Sequence, residues 1–180
     1  MTGPPPLPDP LPWTSPRLTL RRLRPADLAA FQAYRHDPEV WRYQGWDPVT
    51  DDAALAFLSE MQQAPFGLPV EWLQIAIAAA AGDDLLGDIG LVTMAAGREA
   101  EFGITLARGA QGRGLAEEAA RTLIAGLRAH TGVRRLIAIT DVRNLASARL
   151  LRRLGMSLEA EASAEFRGAP CREWHFALVL

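Results

Sequence analysis

The most informative stretch of this chain is RGAQGRGLAEEA, which runs from Arg108 to Ala119. It contains three glycines and continues into residues that favour an α-helix. The glycines let the backbone adopt positive φ angles and turn successive N–H groups inward. A helix beginning near Leu115 would add its own unpaired N–H groups and the positive end of its dipole. The stretch therefore predicts a site for a phosphate or pyrophosphate group, with Arg108 and Arg113 as candidate charged contacts.

Two other phosphate-binding motifs do not fit this stretch. A nucleoside triphosphate P-loop needs a lysine, and all nineteen basic residues of the chain are arginines. A Rossmann fingerprint would need a third glycine where Glu117 stands, and a strand near the start of the chain. The absence of lysine also excludes enzymes that use a Schiff-base lysine or a lysine general base.

The apolar pattern on both sides of this stretch predicts an α/β domain of mixed α+β type with one core. The predicted order is β-α-α-β-β-β-loop-α-β-α-β-β. We expect the second helix to bury Leu55, Phe57, Leu58 and Met61. Strands are predicted at Arg17 to Leu23, Val70 to Ala79, Leu85 to Met94, Glu99 to Leu106, Arg134 to Thr140, Ser157 to Phe166 and Cys171 to Leu180, and helices from Pro25 to before Pro38, Asp51 to Gln63, Leu115 to near Gly132 and Asn144 to Leu154.

Length and composition fit one globular domain. The chain has 180 residues, of which 49% are hydrophobic and 22% are charged, enough apolar material for one core. Its net charge of −2 provides no general attraction to nucleic acid or to an anionic membrane, and no apolar run reaches the roughly 18 residues of a membrane span. The proline-rich residues 1–14 resemble no signal peptide and are expected to be a flexible extension of a domain spanning 15–180. We therefore expect a cytoplasmic protein.

Metal and disulfide sites are not expected. Cys171 is the only cysteine, so neither an intrachain disulfide nor a cysteine-based zinc site can form. His36, His130 and His175 lie far apart in the sequence and lack the spacing of metal ligands. We interpret Cys171 as a buried strand residue and His175 as structural.

The glycine-rich stretch resembles the acyl-CoA signature of the GNAT superfamily of N-acyltransferases. That signature is (Gln/Arg)-x-x-Gly-x-(Gly/Ala) between a strand and a helix. Gly112 and Gly114 fill its last two positions, and Gly109 stands at the first. The wider sequence GRGLAEEA is similar to the branch that acetylates N-terminal amino groups of ribosomal proteins, in which the first position is loose.

Two further segments carry the same resemblance. Asn144 to Met156, NLASARLLRRLGM, resembles the GNAT pattern Asn-x-x-(Ala/Ser)-x-x-x-(Tyr/other)-x-x-x-Gly-(Phe/Met). His36 to Val40, followed by Trp-Arg-Tyr, looks like the segment of the ribosomal-protein branch that precedes its acceptor-site helix. The resemblance covers about residues 15–180, in the expected order of elements.

The resemblance implies a three-layer fold whose central, mostly antiparallel, twisted sheet splays at an acyl-CoA cleft. It also implies acetyl-CoA as the acyl donor and no metal. The pantetheine arm would bond to the exposed backbone of Ile104, Thr105 and Leu106. Further donor contacts are implied for the loop, for the start of its helix and for the downstream motif: Gln111, Gly112, Arg113, Gly114, Leu115, Ala116, Asn144 and Ser147.

Direct transfer requires a base, because the attacking amine must lose a proton. Glu101 is the candidate, since Glu101-Phe-Gly103 matches the Glu-x-Gly of similar members. The alternative is that Glu101 is a solvated strand residue paired with an arginine. Asp88 is the second candidate for the base. Backbone N–H groups of the splayed strand would stabilise the oxyanion.

The general acid is less clearly marked. Many GNAT enzymes have a tyrosine where this chain has Leu151, so protonation of the departing thiolate would fall to Ser147 or to water. Ser147 could instead bond locally, and Asn144 is also a good helix N-cap. Four aromatic residues would either line the acceptor pocket or belong to the core: Trp41, Tyr43, Trp46 and Trp72.

These features predict an acetyl-CoA-dependent N-acetyltransferase that works through a ternary complex. The resembling branch implies the N-terminal α-amino group of a ribosomal or other protein as the acceptor. A small amine such as a polyamine, amino acid or antibiotic is the alternative acceptor. A CoA-binding sensor without catalysis is the alternative of a different class.

Overall fold

A computed structural model describes residues 9–68 and 71–180 of the chain. Within these ranges the strands are β1 (Trp13–Thr14), β2 (Leu18–Arg22), β3 (Leu73–Ala79), β4 (Leu85–Met94), β5 (Glu99–Leu106), β6 (Arg135–Asp141), β7 (Ser157–Phe166) and β8 (Ala169–Val179), and the α-helices are α1 (Leu28–Arg35), α2 (Pro38–Trp41), α3 (Asp51–Gln63), α4 (Leu115–His130) and α5 (Leu145–Arg153). The strands form one sheet in the order β1-β2-β3-β4-β5-β6-β8-β7. None of these helices is long and apolar enough to cross a membrane.

The predicted mixed α/β fold with a mostly antiparallel sheet is confirmed. Every neighbouring pair of strands is antiparallel except β5 and β6. Helix α4 contacts β1, β2 and β5, and α5 contacts β6, while α1 contacts β4 and α3 contacts β3. The central strands β3 and β4 are buried along nearly their whole length, because side chains on both of their faces are covered. The bounds predicted for α3, β4, β5 and β7 match the structure.

Helix α4 follows the glycine-rich stretch, as the sequence predicts. Gly114 is its N-cap and has a φ of 75°, a left-handed conformation that favours glycine. Ala119, Leu123 and Leu127 recur every four residues and are fully buried. This apolar stripe fixes the helix on the sheet and so fixes where its N-terminus lies.

The sheet opens between β5 and β6. The two strands pair in parallel only at residues 99–101 and 135–137. Beyond these residues β5 remains paired with β4 as far as Leu106, and β6 remains paired with β8 as far as Asp141. A V-shaped cleft therefore separates the carboxyl ends of two neighbouring strands, which confirms the predicted splay.

The structure differs from the sequence prediction near the N-terminus. Residues 1–8 of the predicted extension lie outside the described residues, but Trp13 and Thr14 pair with β2 as a strand. The Trp13 side chain is buried, and a Cβ atom on Gly126 of α4 would lie 2.2 Å from its ring. One large aromatic residue packed on a glycine produces no periodic apolar pattern. The strand at Trp13 and Thr14 therefore could not be predicted from the sequence.

Two helical details also differ from the prediction. The short helix α2 is absent from the predicted elements, although Asp37 caps it by accepting the Glu39 N–H at 3.0 Å. In α3, Leu55 is 40% exposed, and the residue buried on that turn is Ala54. The buried stripe of α3 follows the three- and four-residue spacing of one helix face, which excludes Leu55.

Candidate active site in the cleft between two strands

The cleft between β5 and β6 has a volume of about 850 Å³. Its walls include the open edges of both strands, the loop from β5 to α4 and the first turns of α5. Residues in and near α2 and in the β7–β8 hairpin also line it. Of the residues predicted to contact the donor or to act in catalysis, the cleft brings together all but Asp88, Arg108 and Arg113: Glu101, Ile104, Thr105, Leu106, Gln111, Gly112, Gly114, Leu115, Ala116, Asn144 and Ser147.

The loop and the start of α4 present a row of unbonded backbone N–H groups. Gly112 and Gly114 have φ angles of 70° and 75°, which let the chain turn directly into the helix. Between residues 112 and 117 no backbone N–H donates a hydrogen bond to a described residue, and the first helical bond runs from Glu118 to Gly114. Such a row at a helix N-terminus is suited to bind a pyrophosphate.

Side chains hold this loop in place. The Gln111 side-chain amide donates to the Leu106 carbonyl at 2.9 Å. Arg17 donates to the Arg113 carbonyl at 3.1 Å and pairs with Glu118 at 2.6 Å. The row of N–H groups is therefore ordered by the protein itself, which lowers the entropic cost of binding an anion.

The charged residues at the loop differ from those expected. Arg108 forms an ion pair with Asp37 at 2.7 Å, and Arg113 does not line the cleft. Arg149 and Arg153 of α5 line it instead. The signal for these two was their i, i+4 spacing, which places them on one face of the helix that follows the second motif.

The open edge of β5 offers backbone groups at alternate residues. The Ala107 N–H donates to the Leu86 carbonyl at 2.8 Å, which makes Leu106 part of a non-hydrogen-bonded pair with β4. By alternation, Ile104 also directs its N–H and carbonyl away from β4 and into the cleft. Thr105 turns its backbone groups towards β4. Of the three predicted residues, Ile104 therefore exposes both of its backbone groups to a ligand, and Leu106 exposes its N–H, because the Leu106 carbonyl accepts from Gln111.

The N-terminus of α5 forms the facing wall. Asn144 caps the helix, as predicted, by accepting the Ser147 N–H at 3.2 Å. The Ser147 hydroxyl makes no hydrogen bond within the part of the chain that the structure describes, so it is available to a ligand. Leu151, at the position of the tyrosine of related enzymes, also lines the cleft.

Glu101 lies at the vertex of the V, as the last residue of β5 that pairs with β6. Burial raises the pKa of the Glu101 carboxyl, the charge of His175 opposes this rise, and the neighbouring Glu173 adds to it. No arginine among the described residues pairs with Glu101, so the alternative of an arginine-paired surface residue does not fit. A half-buried carboxylate with a raised pKa is a suitable proton acceptor.

Asp88, the second candidate for the base, lies outside the cleft. Its side chain is buried, accepts from the Tyr34 hydroxyl at 2.5 Å and pairs with Arg35 at 3.1 Å. The same carboxylate raises the pKa of the Tyr34 hydroxyl, although burial is the larger cause. Asp88 therefore compensates a buried arginine and joins α1 to β4, which is a role in the fold.

Of the four aromatic residues expected at the acceptor pocket, each within the described ranges, Tyr43 alone lines the cleft. Trp41 and Trp46 each lie under an arginine guanidinium, and Trp72 is 45% exposed elsewhere. Cys171 and His175 lie half-buried on β8 and do not line the cleft.

Some residues of the cleft were not predicted as site residues from the sequence. Glu39, Gln44, Phe166 and Glu173 are among them. They come from separate parts of the chain and meet only in the folded protein. Glu39 lies in the segment from His36 to Val40 that carries the family resemblance, but no local pattern marks the other three.

Comparison with known sequences agrees with this geometry. A sequence model of the acetyltransferase (GNAT) domain matches residues 17–157. The uncharacterized N-acetyltransferase p20 of Bacillus licheniformis is 30% identical over 145 residues, which cover 79% of this chain and 80% of that protein.

Solved structures show the same fold. A GNAT-family acetyltransferase from Bacillus anthracis matches with a TM-score of 0.84 and 19% identity, over 94% of this chain and 98% of that one. RimL, a ribosomal L7/L12 alpha-N-protein acetyltransferase solved in complex with coenzyme A, matches with a TM-score of 0.77 and 17% identity, over 92% and 96% of the two chains.

Proposed function

The chain belongs to the GNAT acetyltransferase family, and from this premise we propose that it transfers the acetyl group of acetyl-CoA to the N-terminal α-amino group of a protein. Acetyl-CoA-dependent N-acetyl transfer is the activity of the family. The observation that carries the assignment to this cleft is the row of unbonded N–H groups at the start of α4, beside an unpaired strand edge.

The residues of the cleft fit acetyl-CoA as the donor. The N–H groups of residues 112–117 would hold its pyrophosphate. The exposed backbone of Ile104 and Leu106 would bond to the amide groups of the pantetheine arm, much as a neighbouring strand would. Asn144 and Ser147 would contact the arm from the facing wall. A donor held in this way runs along β5 towards Glu101.

The chemical step forms a C–N bond and breaks the C–S bond of the thioester. Glu101, directly or through a water molecule, accepts the proton that the attacking amine must lose. Backbone N–H groups of the open β5 edge stabilise negative charge on the carbonyl oxygen. Ser147 donates a hydrogen bond to the departing thiolate sulfur. Amine and donor react together in a ternary complex, without an acetylated side chain.

Two features support a protein N-terminus as the acceptor. The segment from His36 to Val40 resembles the ribosomal-protein branch, and Glu39 of this segment lines the cleft at the end that we assign to the acceptor. Glu173 lines the same end. Neither carboxylate has an arginine partner within residues 9–68 and 71–180, so together they favour the approach of a protonated amine.

The acceptor is tested with a peptide of sequence Ser-Ala-Ala-Lys-Tyr and with the same peptide carrying a blocked α-amino group. Fragmentation mass spectrometry locates the added acetyl group. We expect acetylation of the free α-amino group and none of the lysine side chain or of the blocked peptide. Turnover on spermidine, free amino acids or aminoglycosides alone would support the small-amine alternative. Binding of acetyl-CoA without turnover on any amine would support the sensor.

A further inference from the structure

We propose that Arg167 is a positioning residue for the acceptor, because it holds residues 41–47, the 41–47 segment, at the acceptor end of the cleft. The proposal rests on the proposed function, which assigns the acceptor to that end. Arg167 lies between β7 and β8 in the turn of their hairpin. Its contacts join this turn to a segment that is distant in sequence.

The guanidinium of Arg167 contacts the 41–47 segment through an ion pair, hydrogen bonds and a cation–π contact. It forms an ion pair with Asp47 at 2.7 Å. It donates to the carbonyls of Gln44 and Trp46 at 3.2 Å and 2.5 Å, and it lies 4.6 Å over the ring of Trp41. The charge, the forked N–H donors and the planar face of the guanidinium therefore all contact the segment. A lysine could not reproduce this set of contacts.

The backbone of Arg167 indicates that this side chain is kept at a conformational cost. Arg167 and Gly168 have φ angles of 53° and 75°, as a two-residue turn with two left-handed positions requires. Asparagine, aspartate and glycine are favoured at the first such position, and longer side chains are disfavoured there. The turn by itself does not select an arginine, whereas the contacts with the 41–47 segment do.

A second arginine fixes the other side of the segment. Arg35 of α1 lies 3.7 Å over the ring of Trp46 and donates to Asp88 at 3.1 Å. Arg35 and Asp88 are both buried, so this attachment belongs to the core. The Arg167 side chain is 34% exposed, and it is the attachment that can be removed without disturbing the core.

The position of the segment matters because it forms part of the cleft wall. Tyr43 and Gln44 line the cleft from the segment, and Phe166 lines it from the hairpin. Arg167 joins these two walls and so sets the separation between them. The donor-binding N–H groups lie on the loop before α4, to which Arg167 makes no described hydrogen bond. Loss of Arg167 should therefore weaken acceptor binding and spare acetyl-CoA.

The test is steady-state kinetics of Arg167→Asn with the free-amine peptide Ser-Ala-Ala-Lys-Tyr. Asparagine is favoured in the turn, so the hairpin keeps its conformation while the guanidinium is lost. We expect the KM for the peptide to rise about tenfold and the KM for acetyl-CoA to stay unchanged. Arg167→Lys keeps the ion pair with Asp47. Its KM for the peptide should therefore lie between the values of the wild type and of Arg167→Asn. Arg172→Ala is the matched control, since it removes an arginine of the same hairpin that pairs with Glu161.

Amide hydrogen exchange without any substrate provides the second readout. In Arg167→Asn, exchange should become faster within residues 41–47 and stay unchanged within residues 108–117. An unchanged peptide KM, or equal increases of both KM values, would overturn the proposal. If the wild-type protein acetylates no peptide, the proposed acceptor is wrong, and unaltered exchange at 41–47 would then also overturn the role of Arg167.

Discussion

The proposed donor end and the proposed acceptor end of the cleft are built from different kinds of groups. The donor end uses main-chain N–H groups from one continuous stretch, residues 112–117, and the edge of the strand before it. The acceptor end uses side chains from separate parts of the chain, such as Glu39, Tyr43 and Phe166. Arg167 joins two of these parts across 120 residues of sequence.

The difference shows how one fold can keep its donor and change its acceptor. Main-chain groups cannot be substituted one by one, so the donor end is fixed once the glycines and the helix are in place. Side chains at the acceptor end can be exchanged without moving the backbone. We therefore expect substitutions at the donor end to affect acetyl-CoA, and substitutions at the acceptor end to affect the choice of amine.

The largest effect is expected at Glu101, where the two ends meet. Glu101→Gln should lower kcat/KM by roughly 10² to 10⁴ at neutral pH, because the base is lost, and should leave acetyl-CoA affinity unchanged. Burial raises the pKa of Glu101, and the carboxylate works when deprotonated. The wild-type rate should therefore rise with pH through that raised pKa and then level off. A pH–rate profile of both proteins checks this, and an acid limb that persists in the variant at the same pH would remove Glu101 from the mechanism.

The next effect is expected at the donor end. Gly112→Asp forces a non-glycine residue to a φ of 70°, at about 1–2 kcal/mol, and adds a negative charge beside the position proposed for the pyrophosphate. A like charge a few ångströms away costs roughly a further 1–4 kcal/mol. Acetyl-CoA affinity measured by calorimetry should fall by about 100-fold or more.

Gly109→Asp is the matched control for that variant. It places the same charge in the same loop, but Gly109 does not line the cleft and is not left-handed. Its affinity for acetyl-CoA should fall much less. Equal losses in the two variants would mean that general charge repulsion, and not the main chain at residue 112, accounts for the effect.

The smallest effect is expected at Ser147. Ser147→Ala removes a hydrogen bond to the developing thiolate, a contact of at least about 1.5 kcal/mol, so kcat should fall at least roughly tenfold. Acetyl-CoA affinity should change little, because the backbone N–H of residue 147 still donates to the Asn144 side chain, which caps the helix. Ser147→Thr keeps the hydroxyl and should retain most of the rate. Equal kcat values for wild type and Ser147→Ala would mean that water, and not Ser147, protonates the departing thiolate.

The donor end could be predicted from the sequence because it is local. Gly112 and Gly114 mark left-handed backbone, the apolar spacing of α4 marks the helix, and Asn144 marks the next helix start. Each signal lies within a few residues of the group that it positions. For the same reason the bounds of β5, and with them the position of Glu101, could be placed before the fold was known.

Apart from Tyr43, the acceptor end could not be predicted because its contacts are remote. Nothing near Asp47 indicates that Arg167 will pair with it, and nothing near Trp46 indicates that Arg35 will lie over its ring. Asp88 illustrates the same limit. Its sequence position fits a base at the cleft, but burial beside Arg35 gives it a role in the fold.

That residues 112–117 hold the donor through their main chain is tested most directly by NMR of the ¹⁵N-labelled protein titrated with acetyl-CoA. We predict the largest amide shifts at residues 112–117 and at Ile104, with small shifts in the 41–47 segment. Addition of the acceptor peptide should then shift the 41–47 segment. Acetyl-CoA shifts concentrated in the 41–47 segment and the β7–β8 hairpin, with residues 112–117 unmoved, would contradict the assignment of the two ends.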